Sequence, residues 1–233
     1  MRTIRLVLAD LLFQVRHGFF TAYAFMIIFY AVLLRFLPYE YRGIALLLII
    51  FTDTAVLGSF FVGAIILLEK GQRTHEAILA TPVTVSEFIL SKTLSLTITA
   101  LVMSALIVLL SGYRPVNLLL PAAGIVMVSF IFTLLGIAIA SGVSTVNGYL
   151  AASMVILMPA ALPLIDFFGF AKSPLFYLLP SQGAVKMLEG IYSQYEPAAL
   201  AGSVASLFLW AVAGWFLALG RFKKYAVYGD SGK

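Results

Sequence analysis

The sequence contains no cysteine and, among its 233 residues, only two histidines, His17 and His75. A chain without cysteine forms no disulfide, no thiolate metal site and no thiol nucleophile. The catalytic signatures H-E-x-x-H and G-x-S-x-G do not occur, and neither does the phosphate loop G-x-x-x-x-G-K-[ST]. We therefore expect no enzyme site, metal site or cofactor in this chain. Any ATP-driven work would require an ATPase on another polypeptide.

Charged residues are also scarce. Asp, Glu, Lys and Arg make up 11% of the chain, about half their usual share in globular proteins. Apolar residues make up 62%, and the mean hydropathy is +1.06. This composition indicates an integral membrane protein. The net charge of +5 could suggest a nucleic-acid partner, but the basic residues flank the apolar runs. We interpret them as topology signals and expect no nucleic acid.

Six apolar runs are long enough to cross a hydrocarbon core, which takes about 20 helical residues. They cover residues 18–34, 44–68, 88–110, 118–140, 149–165 and 198–219. The runs are too long and unbroken for the strands of a membrane barrel. Pro159 and Pro163 interrupt the fifth run and predict a kinked or broken helix there. The expected fold is a single all-α transmembrane domain of six helices.

The basic residues also predict the orientation of the spans. With the N-terminus in the cytoplasm, ten of the 15 lysines and arginines fall in the inside segments and five in the outside segments. This excess favours both termini inside, with residues 220–233 as a cytoplasmic tail. The segment 167–196 would then be external. It is too apolar for a solvated loop, so we expect short helices that dip into the outer leaflet or form a lid over the bundle.

Residues 1–17 precede the first apolar run and predict an amphipathic helix on the inner leaflet. One helical side carries Ile4, Leu6, Val7, Leu11, Leu12 and Val15. The polar residues Arg2, Arg5, Asp10 and Arg16 lie elsewhere on the helix. A simple cytosolic lead-in to the first span is the alternative.

Asp53 is the clearest charge inside an apolar run, and Thr52 and Thr54 flank it. It lies about nine residues inside the second run, close to the middle of the bilayer at about 1.5 Å per residue. A carboxylate at that depth is costly and should face the interior, find donors or be protonated. The functional interpretation is a contact for a cationic substrate or a proton on a translocation path. The alternative is a packing carboxyl that joins helices or subunits.

The segment of residues 69–87 is the polar interruption between the second and third runs. Glu69 marks the interface, and Gly71 would permit a sharp exit from the span. Thr74 can cap a short helix over residues 74–80, which Pro82 would end. The sequence T-V-S-E, from Thr84 onward, is a capping box that predicts the start of the third span. On these grounds the segment is either an ordinary interhelical loop or a short docking helix.

The sequence E-K-G-Q-R-T-H-E-A-I-L-A-T-P-V at residues 69–83 resembles the cytoplasmic loop of the type-2 family of ATP-binding-cassette (ABC) export permeases. Members of that family carry an acidic residue and a glycine, then Thr-x-Glu-x-Leu-x-x-[ST]-Pro before the third span. The matching positions here are Glu69, Gly71, Thr74, Glu76, Leu79, Thr81 and Pro82. The six-span layout and the amphipathic N-terminal segment are also similar, so the resemblance covers nearly the whole chain.

The resemblance implies a permease subunit of an exporter in a bacterial plasma membrane. Two such subunits, identical or homologous, would assemble with two copies of a soluble P-loop ATPase that binds ATP and Mg²⁺. Residues 74–80 would be the coupling helix, and Arg73 and Ile78 would join the matching positions in contacting the ATPase. Within the family, the residues around Asp53 and the exit from the second span look closest to bacterial drug-export permeases, including fluoroquinolone-type exporters.

Other functions remain open from the sequence alone. An exporter of this architecture could carry sodium, a lipid, haem or a peptide. An energy-independent channel or a membrane scaffold is a further alternative, and a conductive pore would need a polar stripe through several spans. Beyond Asp53 and its threonines, the third span supplies hydroxyls at Thr93, Ser95, Thr97, Thr99 and Ser104. Without a base beside them, these hydroxyls fit hydrogen bonds in helix packing better than intramembrane catalysis.

Overall fold

The computed structural model describes residues 2–72, 83–194 and 197–228, and every regular element within them is helical. The helices are α1 (Arg2–Arg16), α2 (Phe19–Phe36), α3 (Tyr39–Val56), α4 (Val62–Gly71), α5 (Val85–Ser111), α6 (Leu119–Ser141), α7 (Val146–Ala160), α8 (Pro163–Phe167), α9 (Pro180–Leu188) and α10 (Pro197–Tyr228). A π-helical segment, Leu57–Phe61, joins α3 to α4, and 3₁₀ segments, Pro174–Leu178 and Glu189–Ile191, flank α9. The predicted all-α class is confirmed.

Five helical stretches in the described residues are long and apolar enough to cross a membrane. They are Phe19–Phe36, Tyr39–Gly71, Val85–Ser111, Leu119–Ser141 and Leu200–Lys224. Helices α7 and α8 supply a sixth if their bent pair is one span. The second stretch begins before the apolar run at residue 44, because the polar residues Tyr39–Arg42 already form its first helical turn.

The fifth predicted span is bent, as its prolines suggested. The segments Val146–Val155 and Met158–Phe167 meet at an angle of 41°. Pro159 has no N–H to donate to the carbonyl of Val155, and its ring crowds the preceding turn. The bend therefore lies in the turn just before Pro159, as expected for a proline inside a helix.

Helix α6 forms the centre of the bundle and packs against α5, α9, α10 and the π segment. Small residues let the π segment approach it closely. A Cβ added to Gly58 would lie 3.1 Å from the backbone carbonyl oxygen of Ser129, and one added to Gly136 would lie 2.8 Å from the carbonyl oxygen of Ser59. Close approach through small residues is a common basis of helix packing in membranes.

Helix α1 packs mainly on α5, with one face buried against the bundle and one face exposed. Val7 and Gln14 are buried against the bundle, and Asp10 lies between them on the same face. The exposed apolar side chains are Ile4, Leu8, Leu12 and Val15. Asp10, which was predicted to lie away from the apolar side, faces the bundle, where its carboxylate accepts from Ser91 and Lys92 of α5.

The segment between α8 and α10 is only partly buried by the protein. Helix α9 packs against α6 and α10, and almost all its residues are buried. In the 3₁₀ segment before it, Leu175, Tyr177 and Leu178 are exposed. The indole N–H of Trp210 donates to the carbonyl oxygen of Leu178 across 2.7 Å and holds this segment on α10. The bundle thus buries the second half of the predicted external segment and leaves the first half uncovered.

Candidate functional site

A buried ion triad of Asp10, Glu69 and Lys92 lies at the predicted cytoplasmic end of the bundle. The Lys92 Nζ is 2.5 Å from Asp10 Oδ1 and 2.5 Å from Glu69 Oε1. The side chain of Lys92 is 2% exposed, and those of Asp10 and Glu69 are 13% and 4% exposed. The triad joins three separate elements, namely α1, the end of α4 and the start of α5.

Further polar contacts fasten α1 to α5 beside the triad. The hydroxyl of Ser91 donates to Asp10 Oδ2 across 2.8 Å. The Gln14 amide donates to Ser95 Oγ at 3.3 Å and accepts from Thr99 Oγ1 at 3.0 Å. Buried polar groups are costly without partners, so these bonds fix which face of α1 meets the bundle.

Lys70, the neighbour of Glu69, ties α4 to the central helix. Its Nζ donates to the carbonyl oxygen of Ala140 at 3.1 Å and to that of Val143 at 2.8 Å. These carbonyls lie at the C-terminal end of α6, where a cation is favoured by the helix dipole. The last turn of α4 is therefore held on α5 through Glu69 and on α6 through Lys70.

The predicted ATPase contact falls mostly outside the described residues. Arg73, Thr74, Glu76, Ile78, Leu79, Thr81 and Pro82 lie there, and so does the predicted helix over residues 74–80. Gly71 is described and is still the last residue of α4. It is not among the glycines with a positive φ, and Gln72 after it keeps a right-handed conformation. Gly71 is therefore part of the helix, and the predicted exit from the span continues outside the described residues.

The predicted capping box is confirmed. Thr84 Oγ1 accepts from the backbone N–H of Glu87 at 3.2 Å, and the Glu87 carboxylate accepts from the backbone N–H of Thr84 at 2.9 Å. These two bonds satisfy donors that the first turn of α5 would otherwise leave unpaired. They set the start of the helix that carries Lys92.

Thr84→Ala is expected to lower the free energy of unfolding by about 1 kcal/mol, because it removes the N-cap acceptor. Thr84→Ser keeps the hydroxyl and is expected to retain most of that stability. Thermal unfolding of both variants in detergent measures the difference. Equal melting temperatures for the two variants would contradict a role for the cap.

Asp53 lies at a cavity of about 170 Å³ on the side of α2 and α3. The lining residues are Ala22, Tyr23, Met26, Tyr30, Thr52, Asp53 and Phe61. The rings of Tyr23 and Phe61 stack with their centroids 5.0 Å apart. The carboxylate of Asp53 is half-buried and has no hydrogen-bond or ion-pair partner among the described residues.

The two threonines beside Asp53 have different surroundings. Thr52 is exposed and lines the cavity. Thr54 is 1% exposed and does not line it. Successive residues of a helix point about 100° apart, since a turn holds 3.6 residues. Of the three residues of the predicted translocation path, the structure thus places Thr52 and Asp53 at one cavity and Thr54 outside it.

The π segment brings Phe61 to this cavity. Its Ser59 hydroxyl bonds back to the carbonyl of Ala55 at 2.8 Å, and its backbone carbonyl accepts from the hydroxyl of Tyr149. A π turn holds one residue more than an α turn, so it redirects the side chains that follow, and such turns are frequent at functional sites. The π segment Leu57–Phe61 was not predicted from the sequence.

Several hydroxyls of the third span bond within the helix or to α1. Thr93 donates to the carbonyl of Ile89 at 2.8 Å, and Thr99 donates to that of Ser95 at 3.0 Å and to Gln14. These side chains are buried within the protein. Among the described residues, no group of three His, Asp or Glu side chains could hold a metal ion.

Sequence reasoning missed the importance of Lys92, Asp10 and Gln14. A signal was present for each. Val7, Asp10 and Gln14 recur at helical spacing and so share one face of α1. Lys92 lies several residues inside the third span, where a bare cation is costly and calls for an acidic partner. What the spacing could not give was the identity of that partner.

The bundle of long apolar helices defines a multi-pass all-α membrane protein. Residues 1–230 match the model of the Fluoroquinolones export permease protein family. Over 190 residues the chain is 31% identical to the fluoroquinolones export permease proteins of Mycobacterium tuberculosis strains CDC 1551 and H37Rv, which covers 79% of this chain and 78% of each relative. The chain belongs to this family of export permeases, which are transport subunits.

Proposed function

We propose that this chain is the membrane subunit of an ABC exporter that moves drug-like or amphiphilic small molecules outward. Two permease subunits, identical or homologous, would assemble with two copies of a soluble P-loop ATPase, which binds Mg²⁺ and ATP. Support comes from the family match and from relatives named as fluoroquinolones export permeases. The resemblance of residues 69–83 to the coupling loop of type-2 ABC export permeases points to the same assembly.

The ion triad is the observation that carries the proposal. Glu69 precedes the segment of residues 73–82, Lys92 follows it, and the two are paired in a buried site. The helix end before the segment and the helix start after it are thus bonded to each other through Glu69 and Lys92, and to α1 through Asp10. Separating a buried ion pair is costly. A force applied to the segment would therefore move α1, α4 and α5 together.

In this mechanism residues 74–80 are the coupling helix, seated in a cleft of the ATPase. Ile78 and Leu79 would supply its apolar contacts, and Glu76 its charge. Closure of the ATPase pair on ATP would push on the segment, tilt the joined helices and switch an inward-facing cavity outward. The remaining contact residues would be Gly71, Arg73, Thr74, Thr81 and Pro82. Glu69 was also predicted as a contact, but it is buried in the ion triad and would act through Lys92 instead.

The proposed contact with a soluble ATPase also implies an orientation of the chain in the membrane. The segment 73–82 would face the cytoplasm of a bacterium, and both termini would lie on that side. The exposed apolar face of α1, which includes Ile4, Leu8 and Leu12, would lie in the inner leaflet of the plasma membrane.

A test of the proposal combines assembly and transport. The tagged chain, purified from its own host, is expected to bring down a soluble P-loop ATPase identified by mass spectrometry. Inside-out vesicles that contain the pair should accumulate norfloxacin only when ATP and Mg²⁺ are added. The double substitution Glu76→Lys with Leu79→Asp is expected to abolish both, because it reverses the charge and removes an apolar contact of the docking segment.

Lys172→Glu is the matched control, since it reverses an exposed charge in the segment predicted to be external. It should retain the ATPase and the accumulation of norfloxacin. An intact complex and intact ATP-dependent accumulation in the double variant would contradict the coupling assignment. Accumulation without ATP in vesicles of the wild type would favour an energy-independent channel.

A further inference from the structure

We propose that Asp53 and the aromatic rings around it form a binding site for the cationic group of an organic cation. The site deepens the proposed function, on which its role in transport rests, by assigning the charge class of the cargo. We call the cavity lined by Asp53, Tyr23, Tyr30 and Phe61 the cation pocket.

The carboxylate of Asp53 lies inside a span and has no counter-ion among the described residues. It lies about 21 Å along the helix from Tyr39, at about 1.5 Å per residue, and so deep within the stretch Tyr39–Gly71. In the described part of the chain it has no hydrogen-bond or ion-pair partner. A packing carboxyl that joins helices of one subunit would be bonded to another helix, and no such bond is found among the described residues. An ionisable side chain inside a span, aimed at a cavity, is typical of a transport pathway.

The cation pocket also has an aromatic wall. Tyr23 and Phe61 stack at 5.0 Å, and Tyr30 completes the lining on α2. Both tyrosines line the same cavity as Asp53. Aromatic faces attract cations by up to about 2 kcal/mol when the site is desolvated, and aromatic cages are a known solution for quaternary ammonium groups.

The volume of the cation pocket and its opening limit what it can hold. A cavity of about 170 Å³ is small beside a complete drug site, which takes about 300–1,000 Å³. It suits the charged head of an amphiphile, while the rest of the ligand extends outside. Thr52 at the rim is exposed, so the pocket opens on the side of the bundle. In these apolar surroundings a carboxylate attracts a cation more strongly than in water.

Binding to the full-length chain in lipid nanodiscs, without ATPase or ATP, tests the inference. The probe is a dansyl amide with a trimethylammonium-ethyl arm, and its partner is the neutral 3,3-dimethylbutyl analogue of the same shape. Dansyl fluorescence reports binding to either. The wild type is expected to bind the cation at least tenfold more tightly than the neutral analogue. Asp53→Asn, which preserves size, is expected to abolish that preference and leave binding of the neutral analogue within twofold.

Two further variants complete the design. Glu40→Gln removes an exposed carboxylate elsewhere on α3 and should keep the preference. Tyr30→Leu removes a ring and should weaken binding of the cation by several-fold more than binding of the neutral probe, which gives a readout even if Asp53→Asn fails to fold. Equal affinity of the wild type for the two probes, or an unchanged preference in Asp53→Asn, would overturn the inference. Because ATP is absent, neither result depends on the coupling proposal.

Discussion

Lys92→Met is expected to lower the free energy of unfolding by about 3–5 kcal/mol, the cost of removing one partner from a buried ion pair. The substitution leaves the carboxylates of Asp10 and Glu69 close together without the cation that they share. Equilibrium unfolding in detergent, followed by circular dichroism, measures the loss. We expect the variant to lose export as well, because α1 and α4 are no longer joined through α5.

Two controls separate this effect from a general sensitivity to lysine. Lys186→Met breaks the Lys186–Glu189 pair, which is 2.9 Å long and has a lysine side chain that is 35% exposed. This pair is only partly buried, and solvent-exposed pairs are worth about 0–1 kcal/mol, so a much smaller loss than that of Lys92→Met is expected. The triple variant Asp10→Asn, Glu69→Gln and Lys92→Met removes all three charges. It should recover most of the stability, and a triple variant as unstable as Lys92→Met would contradict the electrostatic explanation.

Gly63→Ala is expected to lower the free energy of unfolding by about 1–3 kcal/mol through overpacking. A Cβ on Gly63 would overlap the ring of Tyr149. That ring is 2% exposed, and its hydroxyl bonds to the carbonyl of Ser59. The ring can make room only by leaving this bond and its packing. Thermal unfolding in detergent is the measurement.

Gly202→Ala is the matched control, because a Cβ at this position in α10 meets no atom within 4 Å. In a helix, alanine is favoured over glycine by about 1 kcal/mol, so this variant should be as stable as the wild type or more so. The loss caused by Gly63→Ala should shrink in a Tyr149→Ala background, because the clash is then gone. Equal losses in both backgrounds would place the cause elsewhere.

The parts of the fold that were predicted from sequence are those with local causes. The helical class follows from the length of the apolar runs. The start of α5 follows from Thr84 and Glu87, which bond to each other's backbone across one helical turn. The bend in the fifth span follows from the missing N–H of Pro159. Each of these signals lies within a few residues of the structure that it determines.

The two sites, the ion triad and the cavity at Asp53, could be predicted less completely from the sequence. Asp53 stood out as an unusual charge, but neither its aromatic surroundings nor the absence of a partner among the described residues could be predicted. Its lining comes from α2, α3 and the π segment together. The separate burial of Thr54 depends on packing that no local pattern encodes.

The sequence by itself determined that this chain is a helical membrane protein, where its long apolar runs lie, and which family it resembles. Hydrophobicity, caps and prolines act over single turns, so they can be read in order along the chain. Only the tertiary structure decided that Lys92 pairs with Asp10, 82 residues away, and that Asp53 lines a cavity and has no partner in the described part of the chain. The pairing of distant charges depends on which helix faces meet. That choice is made by the packing of the whole bundle, around small residues such as Gly136.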